Sequence, residues 1–281
     1  MKRLGVIVLL TGCACGAWLL QRGEGTAPRP AGVNAPSPVA ELMVAGLGGF
    51  RGVVSEFIWF RADRLQDEGR FAELAQMASW LTFLEPYSPD VWAYAAWNLA
   101  YNISVMMPTP EDRWRWVEAG LKLLRDDGLR LNPSEPVLYR ELAWLFLLKM
   151  GGGLDSAAGT YQAAWAQQVR AADASGDWRA LKLDPAVMKE VEAEYGAQTW
   201  THPYAHALYW ARAGLEIARD PVVRRELRQI VYQTLIMETR QDPRFAAAAL
   251  REMKAAYQEA PVMGLKDVME KFRARYALPA E

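Results

Sequence analysis

Apolar residues recur every three or four positions from Val39 onward, and this spacing restricts the chain to helices. Proline and glycine interrupt the pattern at intervals that suit helices of ordinary length. No stretch alternates between apolar and polar residues as a half-buried strand does. Hydrophobic residues make up 52% of the 281 residues, which is enough to form a core. The sequence therefore predicts an all-α protein.

Residues 1–20 have the layout of an export signal or an N-terminal membrane anchor. Lys2 and Arg3 precede an apolar run from Leu4 to Leu20. This run reaches the lower end of the length that a single membrane-spanning helix needs, and basic residues before it favour a cytoplasmic N-terminus. We therefore expect the rest of the chain to be membrane-tethered on the extracytoplasmic (periplasmic) side.

A second feature of the same segment leaves its processing open. Leu10–Cys13 resembles the lipobox of bacterial lipoproteins, and the resemblance implies that Cys13 is lipidated. Apolar residues continue to Leu20, however, which favours an uncleaved anchor instead. An uncleaved anchor, a lipoprotein and a freely secreted protein are the three alternatives, and each places the folded part outside the cytoplasm.

Composition excludes several classes of function. Residues 21–38 contain four prolines among small and polar residues, which predicts an extended linker. Both cysteines, Cys13 and Cys15, precede this linker, so the folded part can form neither a disulfide nor a thiolate metal site. Lys and Arg total 32 against 33 Asp and Glu, a balance that does not favour nucleic acid as a partner. We expect no cofactor.

His202 and His206 are the two histidines of the chain, and their spacing of four on a helix could place both imidazoles on one metal ion. Pro203 argues against this, because it places His202 at the N-cap and starts the helix itself. The sequence indicates no third ligand nearby, so it predicts no metal site. It also contains no glycine-rich phosphate loop or nucleophile elbow, and we expect a protein that is not an enzyme.

Two helical segments share a spacing of 47 residues. Pro86 and Pro133 each close a segment, and an aromatic residue, Trp92 or Tyr139, follows six positions later. In the unit that starts at Ser55, the tetratricopeptide (TPR) pattern is matched by Trp59, Ala62, Leu65, Gly69, Phe71, Ala78, Leu81 and Pro86. The chain thus resembles TPR-like helical-repeat proteins over residues 55–175. Arg61–Arg70 and Trp97–Val105 also resemble an uncharacterised group of bacterial membrane-tethered repeat proteins.

The resemblance implies a TPR-like right-handed superhelix of antiparallel helix pairs. It assigns residues 39–176 to the repeat domain and residues 177–281 to a C-terminal helical extension or cap. Helices in the extension are predicted at about Pro185–Tyr195, Pro203–Ala218, Pro221–Arg240, Pro243–Glu259 and Leu265–Tyr276.

The first helix of each TPR pair lines a concave groove, and the resemblance implies which residues face it. The candidate groove residues are Trp59, Asp63, Trp97, Tyr101, Arg140 and Trp144. Trp, Tyr and Arg dominate binding hot spots. The sequence therefore predicts a scaffold or assembly factor of the bacterial cell envelope that binds protein partners through this groove.

Two other functions fit the same residues. If a further helix of the chain fills the groove, the protein is a purely structural subunit. If Glu56, Asp63, Asp67 and Asp90 form a site, it is an enzyme acting on cell-wall glycan, since paired carboxylates perform acid and base catalysis.

Asn98 and Asn102 lie four positions apart in the middle of a predicted helix. Asparagine is unfavourable there unless its amide makes hydrogen bonds, so we expect these amides to be buried and bonded to neighbouring backbone.

Overall fold

The structure is a computed structural model, and it describes residues 50–153 and 155–279. Every regular element within these residues is a helix, so the predicted all-α class is confirmed. The chain divides into two compact units, one ending at Val91 and the other beginning at Trp92. The signal or anchor at 1–20, the linker at 21–38 and Cys13 lie outside the described residues. The division between residues 176 and 177 stays a prediction.

The described part of the first unit is mainly a helical hairpin of α1 (Phe50–Asp67) and α2 (Phe71–Leu84). Gly69 lies between them with φ 69°, a conformation that glycine adopts without strain. Ile58 packs on Leu81 in the small hydrophobic cluster of this unit. Burying these side chains holds the two helices together.

The second unit contains the longer series of helices. The first of them, α3, begins just before the division between the units and ends beyond it. They are α3 (Pro89–Trp97), α4 (Pro110–Lys122), α5 (Pro136–Trp144), α6 (Ala158–Ser175), α7 (Pro185–Tyr195), α8 (Pro203–Ile217), α9 (Pro221–Thr239), α10 (Ala246–Glu259) and α11 (Leu265–Arg275). Proline occupies the first turn of α4, α5, α7, α8 and α9, where the missing N–H is not needed. The helices predicted beyond residue 176 are therefore present, with starts set by these prolines or close to them.

Three helices continue without a break into π-helical segments. These segments are π1 (Asn98–Ile103) after α3, π2 (Leu123–Gly128) after α4 and π3 (Leu145–Gly151) after α5. Both α3 and α5 are nine residues long, begin at proline and end at tryptophan, and their ends, Trp97 and Trp144, are 47 positions apart. The predicted repeat spacing therefore coincides with a repeated helix geometry. Such π segments are rare and occur often at functional sites.

Helix α8 is the centre of the second unit. Its residues from Pro203 to Ala211 are all buried, and it packs against α5, π3 and α9. The rings of Tyr139 and Trp210 lie 6.0 Å apart, and a Cβ placed on Gly214 would lie 2.9 Å from the Cβ of Tyr139. The C-terminal helices therefore share one hydrophobic core with α5, because only glycine permits this close approach.

The described helices differ from membrane spans. Among residues 50–153 and 155–279, no helix combines the length and the apolar composition that crossing a membrane requires.

Candidate functional site

Trp97 and Tyr101 form the best-defined part of the predicted groove. Their rings stack with centroids 4.2 Å apart and planes 20° apart. Trp97 Nε1 also donates a hydrogen bond of 2.8 Å to the carboxylate of Glu141, which is itself buried. Even so, 43% of the Trp97 surface is exposed. This indole is therefore held in one orientation while it faces solvent.

Arg140 links α5 to the C-terminal helices. Its guanidinium donates to Glu141, with Nη2 2.7 Å from the carboxylate, and to Glu226 on α9. Burial opposes the charge on Arg140, but the two neighbouring carboxylates outweigh it and raise its pKa. At this position, a helix of the same chain occupies the face that the sequence assigns to the groove.

An aromatic strip follows α3 and α5 into their π segments. We define this strip as Trp97, Tyr101, Val105, Trp144 and Leu148, which lie four positions apart on each helix. Trp144 and Leu148 are half-buried and pack against the main core, whereas half of the Val105 surface is exposed. The strip therefore combines fixed and accessible apolar side chains.

A cavity of about 400 Å³ lies at the end of the strip that contains Val105 and Leu148. In it, the ammonium group of Lys149 lies 2.6 Å from the carboxylate of Asp155, and both side chains are nearly inaccessible to solvent. Tyr161 donates its hydroxyl proton to Asp155 at 3.0 Å, and Arg113 lies 3.6 Å from the same carboxylate. Burial alone would raise the pKa of Asp155, but hydrogen bonds from Lys149, the Ala157 amide and Tyr161 hold it below its usual value.

No local sequence pattern predicts this cavity. Lys149 ends an apolar run and Asp155 follows a glycine turn, so neither residue has the regular spacing that identifies a site. This ion pair depends on the turn after π3, which brings the Asp155 carboxylate to the ammonium group of Lys149, six positions earlier.

Asn98 and Asn102 differ from the prediction. Asn98 is buried as expected, but Asn102 Nδ2 donates to the side-chain oxygen of Asn98 at 3.2 Å rather than to neighbouring backbone. The π geometry of this segment brings the two amides together, and Asn98 Nδ2 is buried without a hydrogen-bond partner.

The remaining predicted groove residues lie in the first unit. Trp59 is half-buried and packs against the cluster around Ile58, and Asp63 is exposed. Glu56, Asp67 and Asp90, the other carboxylates of the alternative enzyme site, are also exposed.

The two histidines have different structural roles. His202 caps α8, and its Nδ1 accepts a hydrogen bond from the Tyr204 amide, which confirms the predicted N-cap. His206 is fully buried, lies 2.7 Å from the Trp200 carbonyl through Nε2, and stacks on Phe146. Burial lowers the pKa of His206 to about 3. No group of three potential metal ligands comes together within the part of the chain that the structure describes.

Comparisons of the chain with protein-family models, with curated proteins and with solved structures gave no match.

Proposed function

We propose that the chain is a scaffold or assembly factor, without enzymatic activity, that binds a protein partner along the aromatic strip. The observation that carries this proposal is the state of Trp97, whose ring is exposed yet fixed by Tyr101 and Glu141. A side chain that is already ordered loses little conformational entropy when a partner binds. Tryptophan is also among the residues most enriched at binding hot spots.

The helix contacts support a TPR-like right-handed superhelix of antiparallel helix pairs. Segment π1 packs beside π3, and α5 packs beside α8, so the first helices of successive pairs would be neighbours. Helix α4 packs on π1 and α6 packs on π3, as the second helices of pairs would. In this arrangement α7 to α11, which follow residue 176, are the additional C-terminal helices, and α8 continues the stack.

We further propose that the protein is tethered to a membrane on its extracytoplasmic side, where its partners are proteins of the cell envelope. Lys2, Arg3 and the apolar run from Leu4 to Leu20 support this. Fractionation tests it, because the protein should sediment with membranes and be released by detergent. Loss of sedimentation in Cys13→Ala would select the lipoprotein alternative, and recovery of the wild type in the soluble fraction would contradict the tether.

A purely structural subunit is the second candidate, and one observation favours it. The ion pair between Arg140 and Glu226 brings α9 against Arg140, one of the residues assigned to the groove. No comparable observation favours the enzyme, because Glu56, Asp63 and Asp67 are exposed. A carboxyl group that acts as a catalytic acid usually has its pKa raised by burial.

Site-specific photo-cross-linking from intact membranes distinguishes the two candidates. A photoreactive amino acid at Val105, in the strip, is compared with one at Val268 on α11, since half of each native side chain is exposed. We expect a specific protein adduct from position 105 but not from position 268. Adding Trp97→Ala should weaken partner binding by about 2 kcal/mol and so remove most of that adduct. If position 105 forms no adduct with another protein, the structural subunit is the better account.

A further inference from the structure

The cavity beside the strip carries more positive than negative charge. Asp155 is the one described carboxylate within ion-pair distance of its two cations, Lys149 at 2.6 Å and Arg113 at 3.6 Å. The shorter contact lies between two nearly inaccessible side chains, so Asp155 neutralises Lys149 first. Arg113 then contributes one uncompensated charge, and a quarter of its side chain is exposed.

A hydrogen-bond donor in the cavity has no partner. The hydroxyl group of Tyr101 is buried and makes no hydrogen bond within the described residues. Most buried polar groups in folded proteins are hydrogen-bonded, so this hydroxyl group is an exception. Tyr101 lies in the cavity wall, its ring is 5.2 Å from the ammonium of Lys149, and the Glu141 carboxylate that also acts on it is paired with Arg140.

The cavity also offers a third donor and apolar walls. Ser156 has an exposed side chain, and its hydroxyl lies 3.4 Å from Arg113 Nη1. Val105 and Leu148 line the cavity and belong to the strip. An anionic group in the cavity would therefore be joined to apolar neighbours that lie along the strip.

We propose that this cavity binds the side-chain carboxylate of an acidic residue in the partner segment, whose apolar neighbours contact Val105 and Leu148. The carboxylate accepts hydrogen bonds from the accessible donors Arg113 and Ser156, and the Tyr101 ring rotates to donate its buried hydroxyl proton. One excess positive charge matches a monoanion, whereas a phosphate dianion would leave negative charge uncompensated beside Asp155. This inference rests on the proposed function, because it names the chemistry of the partner that the strip binds.

The test uses the full chain in lipid nanodiscs, with the methyl groups of valine and leucine isotopically labelled for NMR. The probes are two capped tripeptide amides, acetyl-Leu-Glu-Leu-amide and acetyl-Leu-Gln-Leu-amide, titrated while the Val105 and Leu148 signals are followed. We expect the glutamate peptide to bind about tenfold more tightly, since a charge-assisted hydrogen bond is about twice as strong as a neutral one. Equal binding of the two peptides, or no shift with either, would overturn the proposal.

Two variants test whether the preference for the glutamate peptide over the glutamine peptide arises in the cavity. Arg113→Gln should remove most of the tenfold preference, while Arg115→Gln, an exposed arginine on the same helix, should retain it. Tyr101→Phe removes only the unpartnered hydroxyl, so it should weaken glutamate binding several-fold without lowering the melting temperature. A preference that survives both Arg113→Gln and Tyr101→Phe would show that the carboxylate binds elsewhere.

Two further peptides identify the source of the anion. Acetyl-Leu-Gln-Leu with a free C-terminus carries a terminal carboxylate, and acetyl-Leu-phosphoserine-Leu-amide carries a dianion. Tighter binding of either peptide than of the glutamate peptide would overturn the assignment to an acidic side chain. The photo-cross-link at Val105 is independent of all these titrations, so it separates failure of this inference from failure of the proposed function.

Discussion

Helix α5 and its π segment have two faces, one closely packed against other helices and one partly accessible to solvent. On the covered face, Tyr139 and Phe146 pack against α8, and no room is left between the helices. On the open face, Trp144 and Leu148 belong to the aromatic strip and stay half-buried. Both faces are rich in large apolar side chains, so apolar character alone does not decide which face is closed.

The difference lies in what approaches each face. Glycine allows the covered face to close, because Gly151 lies directly against the ring of Tyr204 and Gly214 lies against Tyr139. The open face has charged residues at its borders instead, with Arg140 and Glu141 at one end and Lys149 at the other. Close packing therefore stabilises one face, and the other remains accessible between buried ion pairs.

The largest expected effect comes from removing a ring of the covered face. Phe146 is fully buried between Trp165 and His206, with ring centroids 5.1 Å away in each case. Phe146→Ala should lower the free energy of unfolding by about 3–5 kcal/mol, because the cavity cannot collapse. Val105→Ala on the open face should change it by about 0.5 kcal/mol or less. Denaturant unfolding measures both changes. Similar losses of unfolding free energy in the two variants would show that the two faces are packed equally closely.

A smaller effect should follow when the covered face is overfilled. A Cβ at Gly151 would lie 2.5 Å from Cε1 of the Tyr204 ring and 3.0 Å from the Phe146 carbonyl oxygen. Gly151→Ala should therefore destabilise the protein by about 1–3 kcal/mol. Gly159→Ala is the matched control, because no atom lies within 4 Å and alanine favours the helix by up to about 1 kcal/mol. A Gly151→Ala protein as stable as wild type would show that the covered face is loosely packed.

The two faces should also respond differently to pH. His206 on the covered face has its pKa lowered to about 3 by burial, whereas an unfolded chain takes up the proton near pH 6.5. Its contribution to stability is complete above pH 6.5 and is lost as the pH falls towards 3, by up to about 1.4 kcal/mol per pH unit. Asp155 on the open face has its pKa lowered by its hydrogen bonds, so its ion pairs persist wherever an ordinary aspartate is ionised.

The pH dependence of stability is best measured in a protein without the Glu238 carboxyl group, because that group changes the free energy of unfolding in the opposite direction. Burial first, and then Asp242, raise the pKa of Glu238 to about 7, so its contribution is complete at low pH and lost as the pH rises through 7. In a Glu238→Gln protein, we expect the free energy of unfolding to fall between pH 6.5 and 5. Adding His206→Phe should reduce that slope and leave the part due to His202, whose pKa burial also lowers. An unchanged slope would mean that His206 is protonated in the folded protein at these pH values.

The sequence predicted local features of the fold well and long-range contacts poorly. The start of α8 at Pro203 and its cap at His202 followed from neighbouring residues, because proline and N-cap preferences act within one turn. The 47-residue spacing between Pro86 and Pro133 recurs between Trp97 and Trp144, where α3 and α5 end. The contact between Arg140 and Glu226 joins residues 86 positions apart, and no local rule predicts it.

The candidate site shows the same limit. Trp97 and Tyr101 were assigned to one groove by the resemblance to TPR-like proteins, and they stack, as side chains four positions apart on a helix can. The π segments were not predicted, since one extra residue in a helical turn has no strong signal in apolar spacing. The Lys149 and Asp155 pair was also missed, because it depends on how the glycine turn folds back.

The smallest expected effect compares one hydrogen bond on each face. Tyr204→Phe removes a buried bond to the Gly151 carbonyl, so that acceptor would lose a partner that water cannot readily replace. We expect a loss of about 1–1.5 kcal/mol. Trp97→Phe removes the bond to Glu141, but Arg140 still donates to that carboxylate and water reaches the exposed ring position. The expected loss is about 0.5 kcal/mol. Unfolding of both variants at pH 7 makes the comparison, and a larger loss for Trp97→Phe would mean that the bond to Glu141 is shielded from water and that the open face is covered.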